Sequence, residues 1–195
     1  MELLLSICIG VGLSAACGFR VFVPLLVMSV AANSGHLHLA PTFSWIGSPG
    51  ALAAFGVATV LEVGAYYIPW LDHFLDTLAT PAAIVAGTVV TASMVTDVSP
   101  FLKWTLAVIA GGGVAGGVQA TTVAARALSL AGTGGLANPL VATIELGSSI
   151  LTAIISIVAP FFALGLLLLV TGIAVYKLFR RRSQRLDPPL VPQIG

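Results

Sequence analysis

Apolar residues run from Leu3 to Ala32 with a single charge, Arg20, among them, and uncharged stretches resume after Ser48, Thr80, Ser99 and Asn138. Each of those four residues precedes a proline, at Pro49, Pro81, Pro100 and Pro139. A capping side chain satisfies an orphan N–H at a helix start, and proline at the first helical position loses nothing there. Pro160 opens a last apolar run without such a cap. The pattern predicts six membrane helices, near 3–31, 49–68, 81–96, 100–128, 139–158 and 160–180. The first and fourth are about 29 residues, roughly 43 Å long against a hydrocarbon core near 30 Å, so they must tilt, bend or protrude. Pro24 is the expected kink in the first.

Composition excludes a soluble domain: 58% of the 195 residues are hydrophobic and 8% charged, where about a quarter charged is usual. The start of the chain is read as a retained helix and not a signal peptide. It carries Glu2 and no basic residue, and the apolar run continues past Cys17. Cys8 and Cys17 are packing residues within that run. Lys177, Arg180, Arg181, Arg182 and Arg185 follow the last apolar stretch and place the C-terminus in the cytoplasm. An even number of spans puts the N-terminus there too, with Arg126 an inner-side topology anchor. Residues 1–180 then form one transmembrane domain, and 181–195 a cytoplasmic basic, proline-rich tail. The basic run needs no nucleic-acid partner, because topology and anionic lipid account for it.

A weak internal similarity suggests duplication. Gly10–Ala16 resembles Gly111–Gly117, and Val57-Ala58-Thr59-Val60-Leu61-Glu62 resembles Val141-Ala142-Thr143-Ile144-Glu145. Repeats over 1–97 and 98–180, three spans each, would be inverted relative to one another, an arrangement common in transporters. Ideal inversion would mirror the depths of the two glutamates, yet both count nearer the cytoplasmic side.

Glu62 and Glu145 carry the chemical interest. A carboxylate near the bilayer centre costs roughly 2.5–3.5 kcal/mol on insertion scales, so it needs a partner, a proton or a wet cavity. Glu145, Ser149, Thr152 and Ser156 recur at steps of four, three and four, one polar stripe of a helix. Thr59, Glu62 and Tyr66 form a second stripe, and Thr91 is among the main polar groups of span three. Arg20 cannot lose its charge and needs a carboxylate, carbonyls, water or an anion. Gln119 and Arg126 share a face of span four with Gly112 and Gly116. Ion or solute contact is therefore expected at Glu62, Glu145, Arg20, Ser149, Thr152, Thr91, Gln119 and Tyr66. Asp72 and Asp76, one turn apart, are weaker candidates for holding a divalent cation. Gly111–Gly116 matches a nucleotide fingerprint formally but lacks the strand–turn–helix context. Its glycines instead permit close helix packing, within the fold or in a homo-oligomer. No cofactor is implied.

Three long strings are familiar: Gly12–Leu26 (GLSAACGFRVFVPLL), Tyr66–Gly87 (YYIPWLDHFLDTLATPAAIVAG) and Thr133–Glu145 (TGGLANPLVATIE). They resemble a bacterial integral-membrane family known only as domain of unknown function 4126, over almost the whole chain to about Phe179. The resemblance implies a small multi-pass protein of the bacterial inner membrane and transfers no substrate or catalytic residue. The leading expectation is an all-α membrane transporter or channel, binding a proton or cation through intramembrane glutamates. The alternatives are a structural or assembly protein without transport, and a Mg²⁺-dependent lipid-modifying enzyme centred on Asp72 and Asp76.

Overall fold

A computed structural model describes the backbone of residues 1–186, and the side chains of these except 69–76, 174–175, 178–179 and 181–186. Regular structure among the described residues is entirely helical. The order is α1 (Glu2–Phe19), α2 (Phe22–Asn33), a 3₁₀ segment (Pro41–Gly47), α3 (Pro49–Ala65), α4 (Pro69–Met94), α5 (Pro100–Leu106), a π-helical segment (Ala107–Gly112), α6 (Gly113–Thr133), α7 (Asn138–Val158) and α8 (Pro160–Leu186).

The expected kink at Pro24 is a break four residues earlier. In a continuous helix the proline ring would strike the carbonyl of residue i−4, here Arg20, and leave it without its N–H donor. Arg20 accordingly turns extended (φ −146°, ψ 133°) and ends α1. Pro24 falls in the first turn of α2, where no N–H is needed. The proline-capped starts hold at Ser48, whose Oγ accepts from Ala51 N–H at 3.2 Å, and at Ser99, which accepts from Leu102 N–H at 3.3 Å. Two starts differ. Pro81 lies inside α4, so the third span, expected to start there, is the later part of a longer helix that begins at Pro69. Asn138 does not cap α7; its Oδ1 accepts from Ser129 Oγ on α6 at 2.8 Å. The fourth span extends beyond its expected end, to Thr133, where Gly134 adopts the left-handed conformation (φ 63°) and closes the helix.

Among the described residues, four helical stretches can cross a membrane by length and apolar composition: Glu2–Phe19, Thr77–Met94, Pro100–Thr133 and Asn138–Val158. A fifth is added if Pro41–Gly47 and Pro49–Ala65, bent by 62°, count as one. Phe22–Asn33 and Pro160–Ile173 are shorter apolar helices.

Residues Met1–Leu164 form one compact unit, and a second begins at Gly165, within α8. Within the first, α1 lies at the centre and packs on α4, α6 and α7. Its small residues allow this. Gly10 sits against the Thr91 backbone, and a Cβ there would lie 3.1 Å from Thr91 Cα. Ser14, fully buried, fastens α1 to α4: its Oγ lies 2.7 Å from the Gly87 carbonyl and 2.8 Å from Thr91 Oγ1. Ser14→Ala should lower the stability of the detergent-solubilised protein by about 1 kcal/mol, the usual net worth of such a bond. Unchanged thermal unfolding would show that Thr91 finds another partner.

A charged cluster at the break of the first helix

Breaking a helix inside an apolar bundle exposes N–H groups on one side and carbonyls on the other, and each needs a partner where water is scarce. The chain supplies them from two other helices. Glu62 on α3 places its carboxylate over the new N-terminus of α2: Val21 N–H donates to Oε1 at 2.7 Å and Phe22 N–H donates to Oε2 at 3.1 Å. At the end of α1 the Ala16 carbonyl accepts from the Arg20 N–H at 3.1 Å and, as a second bond, from the Ser149 Oγ of α7 at 3.0 Å.

Arg20 itself turns inward. Its Nη2 donates to the Ala142 carbonyl of α7 at 2.9 Å and lies 3.4 Å from Glu145 Oε2. Glu145 is held from its other side by Arg126 of α6, which donates from Nε to Oε1 at 3.0 Å and from Nη2 to Oε2. Side-on pairing of this kind fixes orientation as well as charge. The two guanidinium carbons lie over the Tyr66 ring, 3.8 Å from its centroid for Arg20 and 4.2 Å for Arg126. Tyr66 stands one turn after Glu62, at the end of α3.

Arg20, Arg126, Glu145 and Tyr66 are all buried, and Glu62 is half-buried. Two positive and two negative groups make a neutral set, the condition under which ions persist in such surroundings. Two sets of polar atoms stand outside this network. Arg20 Nε and Nη1 have no hydrogen-bond partner, and neither has Thr59 Oγ1, one turn before Glu62 on α3.

Of the residues expected to contact an ion or solute, Glu62, Glu145, Arg20, Tyr66 and Ser149 meet here. Thr91 instead joins Ser14 in the α1–α4 contact. Gln119 is buried on α6, and Thr152 is half-buried on α7. Asp72 and Asp76 lie outside the residues whose side chains are described. Arg126, expected at the inner surface as a topology anchor, is a buried partner of Glu145. Its signal was present in the sequence. Ala115, Gln119, Thr122 and Arg126, spaced four, three and four, form the buried face of α6.

Described residues whose regular structure is all helical, with four to five apolar helices of spanning length and a buried set of charges, are compatible with a multi-pass membrane protein. The family model for Domain of unknown function (DUF4126) matches residues 7–180, and the chain belongs to that family. No curated protein and no solved structure matches it.

Proposed function

We propose that this protein is a small membrane transporter or channel whose working centre is the charged cluster at the α1–α2 break. The observation that carries the reading is Glu62, a half-buried carboxylate from one helix occupying the N-terminus of another. Discontinuous helices whose half-helix ends face charged groups are the substrate and ion sites of many transporters. Ionised, Glu62 accepts two backbone N–H bonds; protonated, it holds them weakly and can leave. That switch biases the arrangement of α2 and α3 by proton occupancy. Glu145 is then the counter-ion that holds Arg20 and Arg126, because both of its oxygens already face arginine donors. The expected proton or cation binding therefore falls to Glu62.

The finer architecture is part of the same proposal: six membrane segments, with α1 and α2 counted as one broken span, in two inverted repeats over 1–97 and 98–180. The basic run after α8 supports a cytoplasmic C-terminus, with the N-terminus on the same side of a bacterial inner membrane.

The full chain in liposomes, under imposed pH and cation gradients, tests the reading. Wild type should conduct protons or a coupled ion, and Glu62→Gln should reduce that flux at least about tenfold, a change of roughly 1.4 kcal/mol in barrier. Wild-type flux equal to empty liposomes across protons, sodium, potassium and small anions would overturn it. A structural role is the second reading, favoured by the neutrality of the four charges. It expects Glu62→Gln to lower stability with no flux to lose.

A further inference from the structure

We propose that the α1–α2 break is a binding site for a small planar oxyanion of the carboxylate, nitrate or bicarbonate class, and that the Glu62 carboxylate is its tethered occupant. The proposal deepens the transport reading, on which its consequence for flux rests; the binding itself does not need it.

Geometry sets the class. Val21 and Phe22 N–H groups each hold a different oxygen of one carboxylate, at 2.7 and 3.1 Å. A free planar oxyanion reproduces that two-oxygen contact, and the N-terminus of a helix favours negative charge. A second observation points to the same ligand. Arg20, the residue immediately before α2, is 2% exposed, yet its Nε and Nη1 donors have no partner while Nη2 is engaged by α7. The Tyr66 ring covers one face of this guanidinium at 3.8 Å, but in-plane donors stay charged and are never acceptors, so the hydrogen bonds of Nε and Nη1 await an acceptor. Thr59 Oγ1 offers one more unsatisfied polar group on the helix that delivers Glu62.

Charge fixes the stoichiometry. With Glu62 ionised, the two arginines and two glutamates sum to zero. Protonation of Glu62 leaves a surplus of one positive charge, and one monovalent anion at the vacated N–H groups restores neutrality. The proton resides on the Glu62 carboxyl and the anion takes its two hydrogen bonds, so the two load together. The described titratable or charged groups around Glu62 are Arg20 at the break, Cys17 on α1, Tyr66 on α3 and Glu145 on α7, with Arg126 of α6 behind Glu145. None of them supplies a free negative charge to replace Glu62, since Glu145 is already held by both arginines.

The test compares the purified full chain and its Glu62→Gln variant in detergent. Sodium nitrate and sodium formate are titrated against sodium gluconate at equal ionic strength, with the thermal unfolding midpoint as readout. Glu62→Gln should show a saturable rise in nitrate and in formate at neutral pH, with apparent affinity at least roughly tenfold tighter than wild type, because the competing carboxylate is gone. Wild type should gain the same response at acid pH, which keeps the test available if the variant does not fold. Arg20→Lys in the Glu62→Gln background should abolish the response. Identical melting of Glu62→Gln in nitrate, formate and gluconate, with wild type equally indifferent at acid pH, overturns the anion site. Nitrate uptake into liposomes driven by an inward proton gradient, and independent of a potassium–valinomycin shunt, supports joint loading. Saturable anion binding without any flux upholds the site and overturns the transport reading; proton flux indifferent to nitrate, with no anion response in detergent, does the reverse.

Discussion

Replacing Glu145 by glutamine is expected to destabilise the helical body by about 3–5 kcal/mol, the cost of removing one partner from a buried ion pair. Glu145 answers two arginines at once, accepting from Arg126 Nε and Nη2 and lying 3.4 Å from Arg20 Nη2. Glutamine has nearly the same shape but only one acceptor oxygen, and its amide N–H₂ would point at a guanidinium donor. The cluster would keep two positive groups against Glu62 alone. Side-chain exposure of Glu145 and Arg126 is 6% and 5%, so little solvent screens the imbalance. Denaturant or thermal unfolding in detergent measures the loss. Arg126→Met with Glu145→Met leaves Arg20 and Glu62 as a balanced pair and should recover most of the stability, so the double variant is more stable than Glu145→Gln alone. If Glu145→Gln melts like wild type, the neutral-cluster account is wrong.

The residues visible in advance were those whose cost in lipid is paid one by one. Glu62, Glu145 and Arg20 stand out in any apolar segment, and Tyr66 and Ser149 follow from helical spacing. Arg126 was misplaced because a basic residue near the end of a long span satisfies the topology rule equally well in headgroups or in the bundle. Only the periodic face it shares with Gln119 and Thr122 distinguishes them. The break at Arg20 required reading Pro24 backwards, from the ring to the carbonyl it obstructs. Thr80-Pro81 shows the limit of local signals. It has the same form as Ser48-Pro49 and Ser99-Pro100, yet α4 runs through it. Neighbouring helices and polar side chains can take up the backbone groups that an interior proline frees, and nothing within four residues of Pro81 says which outcome prevails. The pairing of Glu62 with α2 was also beyond reach, because its partners are backbone N–H groups that become available only once the helix has broken.

Gly87→Val should largely prevent formation of the packed bundle, whereas Gly113→Val should change its stability by no more than about 0.5 kcal/mol, the usual limit for open positions. Both glycines lie in helices, so intrinsic propensity does not separate them; what surrounds them does. A Cβ at Gly87 would lie 2.6 Å from Ala115 Cβ and 2.8 Å from the Gly111 carbonyl, while nothing stands within 4 Å of one at Gly113 or Gly117. Backbone cannot step aside as a long side chain can, so α4 must separate from the π-helical segment and α6. Overpacking costs about 1–3 kcal/mol even where a core can adjust. Here separation also pulls the Gly87 carbonyl from Ser14. Between helices in lipid, close van der Waals approach replaces hydrophobic drive as the source of association, so the lost contact has no substitute. Size-exclusion profiles and unfolding midpoints of Gly87→Val, Gly113→Val and Gly117→Val measure the contrast. A Gly113→Val protein as damaged as Gly87→Val would mean that the open glycine face is covered in the assembled protein, and a shift to smaller particle size would identify a second copy as the cover.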